Sequence, residues 1–170
     1  MLGQYVRRRA REAALHFLFG LDFTSSPWES VVDDFWAMEA DVADQLVNDP
    51  DDEEADEYWV LERLSPNAGV REYAMQLIGG VCEHVAALDQ EIATALQNWT
   101  PERVGRVERA ILRIALYEMR YVPDVPPPVA INEAIEIVKR YGDDEAPRFV
   151  NGVLDRLRER DGRRDSDAGV

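Results

Sequence analysis

Residues 107–119, 129–142 and 149–157 read VERAILRIALYEM, VAINEAIEIVKRYG and FVNGVLDRL, and these three segments decide the fold. Their apolar residues recur every three or four positions, which is the period of an amphipathic helix. Before the second segment, Pro126-Pro127-Pro128 forces an extended linker. Gly142 is a typical C-cap residue and ends the second segment. The predicted helices span about residues 106–120, 128–141 and 146–160.

The rest of the chain also carries helical spacing and almost no strand signal. A first helix is predicted over about residues 4–22, and Ser26-Pro27 is a typical start for a second one. A long helix is predicted over about residues 70–98, with close packing of another helix at Gly79-Gly80. With a short helix at about residues 58–64, the fold class is all-α, with about seven helices in two packed three-helix-like bundles.

The chain divides into two predicted subdomains. The N-terminal helical subdomain covers residues 1–99 and contains an acidic insertion at about residues 37–66. The C-terminal helical subdomain covers residues 100–160, and Thr100-Pro101 is a good helix start for it. The polar residues 161–170 are predicted to be a disordered tail.

The net charge of -15 over 170 residues looks unfavourable for binding nucleic acid, but the acidity is regional. Thirteen of the 34 acidic residues lie between positions 29 and 57, where there is no lysine or arginine. Elsewhere 21 acidic residues face 19 basic ones. The overall charge therefore does not exclude RNA binding at a local basic patch.

Catalytic and metal-binding chemistry is poorly supported. Cys82 is the only cysteine, so no disulfide can form within the chain and a reducing cytoplasm fits. His84 is two residues from Cys82 on a predicted helix, so the two side chains point nearly opposite ways and cannot chelate one ion. No phosphate-binding glycine loop or nucleophile motif appears. We expect a protein that is not an enzyme and has no metal or cofactor.

The first predicted helix carries a basic cluster of Arg7, Arg8, Arg9 and Arg11. These spacings spread the four side chains over much of the helix circumference, so at least two should face solvent. Such a helix end can collect phosphates, and the cluster is the candidate RNA-binding site. A solubilising helix start is an equally good interpretation of the cluster alone.

Taken in order and spacing, the three C-terminal segments resemble the NusB family of transcription antitermination factors. RRRAREAALHFLF, at residues 7–19, resembles the arginine-rich first helix of that family, and residues 88–99 resemble its third. The resemblance covers nearly the whole chain except residues 37–66 and the tail.

The resemblance implies a cytoplasmic, non-catalytic bundle that binds the boxA element of nascent ribosomal RNA transcripts. It implies binding as a heterodimer with NusE, a ribosomal protein. The assembly would belong to a transcription elongation complex of RNA polymerase and other Nus factors that resists termination.

The resemblance also assigns candidate residues. Glu108 matches a NusE contact, although an ordinary solvated helix carboxylate is the other interpretation. Glu145 lies four residues before Phe149, where a carboxylate would oppose RNA phosphates. Burial in the bundle is an equally good interpretation of Phe149. The positions that match RNA-contact regions are Arg7, Arg8, Arg9, Phe19 and Phe149, with Tyr141 nearby.

Three other residues have structural interpretations. Arg113 and Glu118 are expected to pair with groups on neighbouring helices. Gly152 is expected to permit a close approach between helices.

Three alternatives stay open. A NusB-like domain also precedes the catalytic domain of some RNA cytosine methyltransferases, but 170 residues without a glycine loop for S-adenosylmethionine leave no room for that domain. The strongest alternative is a helical protein-interaction module that has lost RNA binding, because of the negative charge. The third is a homodimer that masks the RNA face.

Overall fold

The computed structural model describes residues 2–47, 68–96 and 104–167, and every regular element within those ranges is an α-helix. The all-α prediction is confirmed. The predicted short helix at residues 58–64 and the Thr100-Pro101 helix start lie outside the described residues. The described helices are α1 (Leu2–Leu21), α2 (Trp28–Val47), α3 (Ala68–Ala95), α4 (Arg106–Tyr121), α5 (Pro127–Tyr141) and α6 (Ala146–Asp167).

Local capping sets the boundaries of the last two helices. Pro127 lies in the first turn of α5, where a missing backbone N–H is tolerated because it would have no partner within the helix. At the other end, the N–H of Gly142 donates to the carbonyl oxygen of Val138 at 2.8 Å. The carboxylate of Asp143 then accepts the N–H of Ala146 at 2.9 Å and so caps the start of α6.

The final helix is longer than the sequence predicted. It continues past Arg160 to Asp167, through residues for which we expected disorder. Extending an existing helix adds one hydrogen bond per residue, and the segment contains no proline. Residues 168–170 lie outside the described residues.

One contiguous core joins the helices. α1 packs mainly against α3 and also contacts α4, which packs in turn against α3, α5 and α6. Arg113 of α4 donates to Asp89 of α3 at 2.7 Å, which confirms its predicted pairing. The predicted subdomain boundary at residues 99 and 100 falls outside the described residues and stays a prediction. Fully buried leucines from α1, α3, α4 and α6 form the centre of the core: Leu15, Leu77, Leu88, Leu112, Leu116, Leu154 and Leu157.

The glycine pair in α3 is where two neighbouring helices approach closely. A Cβ atom on Gly80 would lie 2.0 Å from Cζ of Tyr117, so no other residue fits unless that ring moves. A Cβ on Gly79 would make an ordinary 3.5 Å contact with the Trp28 ring of α2. The predicted close packing at this pair is confirmed.

Candidate nucleic-acid interface

The predicted basic cluster lies on α1, and the structure pairs each of its guanidinium groups with a carboxylate. We call Arg7, Arg8, Arg9 and Arg11, with the carboxylates that they contact, the arginine network. Its exposed end begins at Arg7, which is hydrogen-bonded to Asp124. Arg8 donates from Nη2 to Oε1 of Glu133 at 2.7 Å. The side chains of Arg7 and Arg8 are 35% and 47% exposed, so phosphates can compete for them in water.

The other end of the arginine network is buried. Arg11 is only 3% exposed and donates from Nε to Oε1 of Glu118 at 2.9 Å. Its Nη1 also lies 3.3 Å from Oε2 of Glu133. Burial, followed by the charge of Glu118, raises the pKa of Tyr73 well above its ordinary value, so the phenol stays protonated and donates to Glu118. The RNA-contact prediction is therefore corrected for Arg11, whose side chain is enclosed in the fold, and the predicted pairing of Glu118 is confirmed.

Through Glu12, Arg9 is connected to Arg140, a further exposed cation that the sequence did not predict. Glu12 is buried and accepts a hydrogen bond from Arg9 at 2.7 Å, and Nη1 of Arg140 lies 3.4 Å from its other oxygen. The Arg140 guanidinium lies 5.6 Å from the ring centroid of Tyr141, and that ring packs edge-on against His16 at 5.1 Å. The side chain of Arg140 is 52% exposed. A basic residue directly before the candidate Tyr141 was the available signal.

An open groove between the end of α3 and the start of α6 contains two other predicted residues. We call it the basic groove, and its volume is about 430 Å³. The backbone N–H of Phe149 donates to the carbonyl oxygen of Glu145 at 3.1 Å, so the two residues are one helical turn apart, as expected. Phe149 is partly buried and packs against the core, and its RNA contact stays a prediction. The groove is lined by Leu96, Glu145, Arg148, Phe149, Gly152, Val153 and Arg156.

Two arginines lie at the rim of the basic groove. Arg148 is exposed and forms no ion pair with another described residue. Arg156 donates to the carbonyl oxygen of Ala95 at 3.1 Å, which fixes it against the end of α3. We expected Gly152 to permit a close approach between helices. This prediction is wrong, because a Cβ atom at Gly152 would have no other atom within 4 Å. The missing side chain instead leaves the groove open.

Phe19 and Glu108 lie on a different part of the surface. Phe19 is 37% exposed and packs against Phe23 at 5.4 Å between ring centroids. The guanidinium of Arg106, at the start of α4, lies 4.2 Å from the centroid of Phe23. The half-buried Glu108 is in the same first turn of α4, where a carboxylate also favours the positive end of the helix dipole. Phe19 is thus connected through Phe23 to the α4 turn that carries Glu108.

Among the described residues, no group of three or more histidine, cysteine or acidic side chains could hold a metal ion. Burial raises the pKa of Cys82 to about 11, so its thiol is protonated at neutral pH. Nδ1 of His84 lies 2.9 Å from the carbonyl oxygen of Gly80, and its ring packs against Tyr121 at 4.2 Å. No helix in the described ranges has the length and apolar composition needed to cross a membrane.

Comparison with known proteins identifies similar chains over most of this sequence. The model of the NusB family matches residues 8–159. The transcription antitermination protein NusB of Nitratidesulfovibrio vulgaris is 43% identical over 149 residues, which are 88% of this chain and 85% of that protein. The protein of the same name from Bacillus subtilis is 41% identical over 152 residues, 89% of this chain and 94% of that one.

Two solved structures share the fold. NusB of T. maritima has a TM-score of 0.66 and 30% identity, and the match covers 89% of each chain. A chain from a crystal structure of the antitermination factors NusB and NusE in complex with double-stranded RNA has a TM-score of 0.67. That match covers 89% of this chain and 95% of the other, and its identity of 24% shows a shared fold alone.

Proposed function

The chain belongs to the NusB family, and on that premise we propose that it binds boxA-type single-stranded RNA together with NusE during ribosomal RNA transcription. The family consists of transcription antitermination proteins and is not enzymatic. The complex would act in the cytoplasm with RNA polymerase and other Nus factors. One solved structure of this fold contains NusB, NusE and double-stranded RNA, which supports the two partner classes.

The observation that carries the RNA proposal is the composition of the basic groove. Phe149 offers an aromatic ring at the wall of an open space of about 430 Å³. Arg148 and Arg156 line the same space. An aromatic ring that stacks on an unpaired base, beside cations that hold its phosphates, is the usual arrangement for single-stranded RNA.

The exposed end of the arginine network supplies a second set of phosphate contacts. Arg7 and Arg8 fit this role because their side chains are part-exposed and their carboxylate partners can be displaced. Arg140 extends the set next to Tyr141. Every cation of the arginine network faces a nearby carboxylate, so we expect modest RNA affinity that rises when NusE supplies further contacts.

The NusE site is proposed at the surface that joins Phe19, Phe23 and the first turn of α4. Exposed aromatic rings are typical anchors of protein interfaces. Phe19 therefore fits a partner contact better than the RNA contact that the resemblance implied. Glu108→Lys should weaken the NusE complex, because charge reversal at an interface penalises like charges. Thermal unfolding separates this effect from a loss of helix stability, and unchanged NusE affinity in calorimetry would remove Glu108 from the interface.

The deciding experiment measures the affinity of boxA-like single-stranded RNA for the full chain, with and without NusE. The double variant Arg7→Ala/Arg8→Ala should bind less tightly and lower the salt slope by about 0.7 for each lost phosphate contact. Arg71→Ala is the matched control, because Arg71 is also exposed and paired, with Asp33 of α2. Equal affinities and slopes for the two variants would contradict the assignment.

The second candidate is a helical protein-interaction module, or a homodimer, in which RNA binding is lost or masked. The pairing of all four clustered arginines with carboxylates favours it. This reading requires that boxA-like RNA fails to bind even when NusE is bound. Sedimentation of the free chain then distinguishes the homodimer from the module.

A further inference from the structure

A second open groove lies between the last turns of α1 and the middle of α2, and we call it the acidic groove. Its volume is about 370 Å³. Phe17, Phe35 and Met38 form an apolar floor, and the two phenylalanine rings meet edge to face at 5.3 Å. Met38 is 58% exposed, and its flexible thioether can adapt to the side chain that packs on it. The floor therefore offers apolar surface for another molecule.

The rims of this groove carry one sign of charge. Asp34 and Glu39 line it, and neither forms an ion pair with another described residue. No lysine or arginine is among the lining residues. Unpaired carboxylates beside apolar surface select a ligand that brings both apolar groups and positive charge.

Gly20 is the only glycine among the described residues that line this groove. It lies within α1 and lines the groove, although glycine is the poorest helix former after proline. A Cβ atom at Gly20 would meet nothing within 4 Å, so packing inside the described part of the chain does not require glycine there. A larger residue at this position would therefore add a side chain at the lining of the groove.

From these observations we propose that the acidic groove binds a segment of a protein partner that is apolar on one face and carries lysine or arginine beside that face. A second copy of this chain is the other occupant to consider, and sedimentation of the free chain as a monomer would exclude it. The acidic stretch at residues 49–57 has the same sign as the rims and does not complement them. Residues 58–64 (YWVLERL) are apolar with one arginine, and a groove already filled by them would not bind an added peptide, so a peptide titration distinguishes this occupant. The groove does not include Phe19, Phe23 or Glu108, so it is separate from the proposed NusE contact, and the proposal does not depend on RNA binding.

The probe is a labelled synthetic helical peptide of about 16 residues, with leucines at helical spacing on one face and lysines elsewhere. A peptide with glutamate in place of lysine is its control. Fluorescence anisotropy with the full chain should show binding of the lysine peptide and none of the glutamate peptide. Failure of the lysine peptide to bind would overturn the proposal.

Matched variants locate the binding. Gly20→Leu fills the groove and should weaken the lysine peptide by more than about tenfold. Gly3→Leu is the control, because Gly3 also lies in α1 with nothing within 4 Å of its Cβ position, yet does not line the groove. Thermal unfolding establishes that both variants are folded. Equal peptide affinity for the two would overturn the proposal.

Two double variants, each of which removes two carboxylates, test whether the charge at the groove is needed for peptide binding. Asp34→Asn/Glu39→Gln should weaken the lysine peptide roughly three- to tenfold, because two rim charges are lost. Glu29→Gln/Asp33→Asn removes the same charge from exposed positions of α2 that do not line the groove, and should have a smaller effect. Equal losses would mean that the peptide senses only the net charge, and the groove would be excluded as its site.

Discussion

The basic groove and the acidic groove have a similar construction and differ in the charge of their rims. Each lies between two helices, has apolar residues among its lining, and contains a helical glycine with open space at its Cβ position. At Gly152 the neighbouring rim residues are Arg148 and Arg156, whereas at Gly20 they are Asp34 and Glu39. Both grooves are open, and we propose that the charge at each one selects the class of ligand that it binds.

On the two proposals above, this difference would allow an acidic protein to serve two kinds of partner. The net charge of -15 describes the whole chain and predicts the behaviour of neither groove. Exposed charges are screened beyond about 8 Å at physiological salt, so a phosphate at the basic groove responds mainly to nearby arginines. The comparison can be tested first at the residue that anchors α1, one wall of the acidic groove, and then within each groove.

The largest expected effect is at that anchor, Arg11. It holds α1, which forms one wall of the acidic groove, against the C-terminal helices through Glu118. Arg11→Met should lower the free energy of unfolding by about 3–5 kcal/mol, because it leaves Glu118 buried without its cation. Denaturation by urea at neutral pH measures the loss. Arg71→Met, at an exposed pair, should cost almost nothing, and similar losses for the two variants would contradict a structural role for Arg11.

The second prediction compares one substitution in each groove and measures the binding of both ligands to each variant. Gly152→Leu should weaken boxA-like RNA by more than about tenfold and leave the lysine peptide unaffected, whereas Gly20→Leu should do the reverse. Neither substitution clashes at its Cβ atom, and leucine is a better helix former than glycine, so both proteins should stay folded. RNA filter binding and peptide anisotropy on the same preparations give the four affinities. If one variant weakened both ligands, the grooves would not act separately.

The sequence was sufficient for what depends on local pattern. Helical spacing predicted the helices, and the Gly79-Gly80 pair predicted close packing, because periodicity and residue size are visible along one segment. The buried position of Arg11 had a weaker signal. It lies between Ala10 and Ala14 on the buried stripe of α1, and Glu118 lies within the apolar run of α4. Two opposite charges on buried helix faces could have suggested an ion pair. The local sequence does not show that the two side chains are close in space.

The grooves themselves could not be predicted from local pattern. The basic groove combines Leu96 with Glu145 and residues of α6, and the acidic groove depends on how the consecutive helices α1 and α2 pack. Gly152 shows the problem. Its place in a helix suggested close packing, and only the arrangement of its neighbours reveals open space instead. Phe19 shows the same problem, because only the structure reveals its contact with Phe23 and, through Phe23, its link to the start of α4.

A smaller effect is expected from a single cation of the basic groove. Arg148→Ala should weaken boxA-like RNA several-fold and lower the slope of log affinity against log salt by about 0.7, as expected for one phosphate contact. Arg158→Ala is the control, because Arg158 is also on α6 but pairs with Asp155 and does not line the groove. Titration at several salt concentrations gives both slopes. The same slope change in both variants would indicate a diffuse charge effect.

The smallest expected effect is at Glu145, the one carboxylate that lines the basic groove. Glu145→Gln keeps the shape and removes a charge that opposes phosphates, so RNA binding should tighten by no more than about threefold, and most clearly at low salt. Asp144→Asn removes one charge from the adjacent exposed residue, which does not line the groove. If Glu145 acts only on the positive end of the α6 dipole, its substitution should slightly lower stability and leave RNA affinity unchanged. Filter binding at two salt concentrations decides between these roles, and equal gains from both variants would show that the groove is not specifically involved.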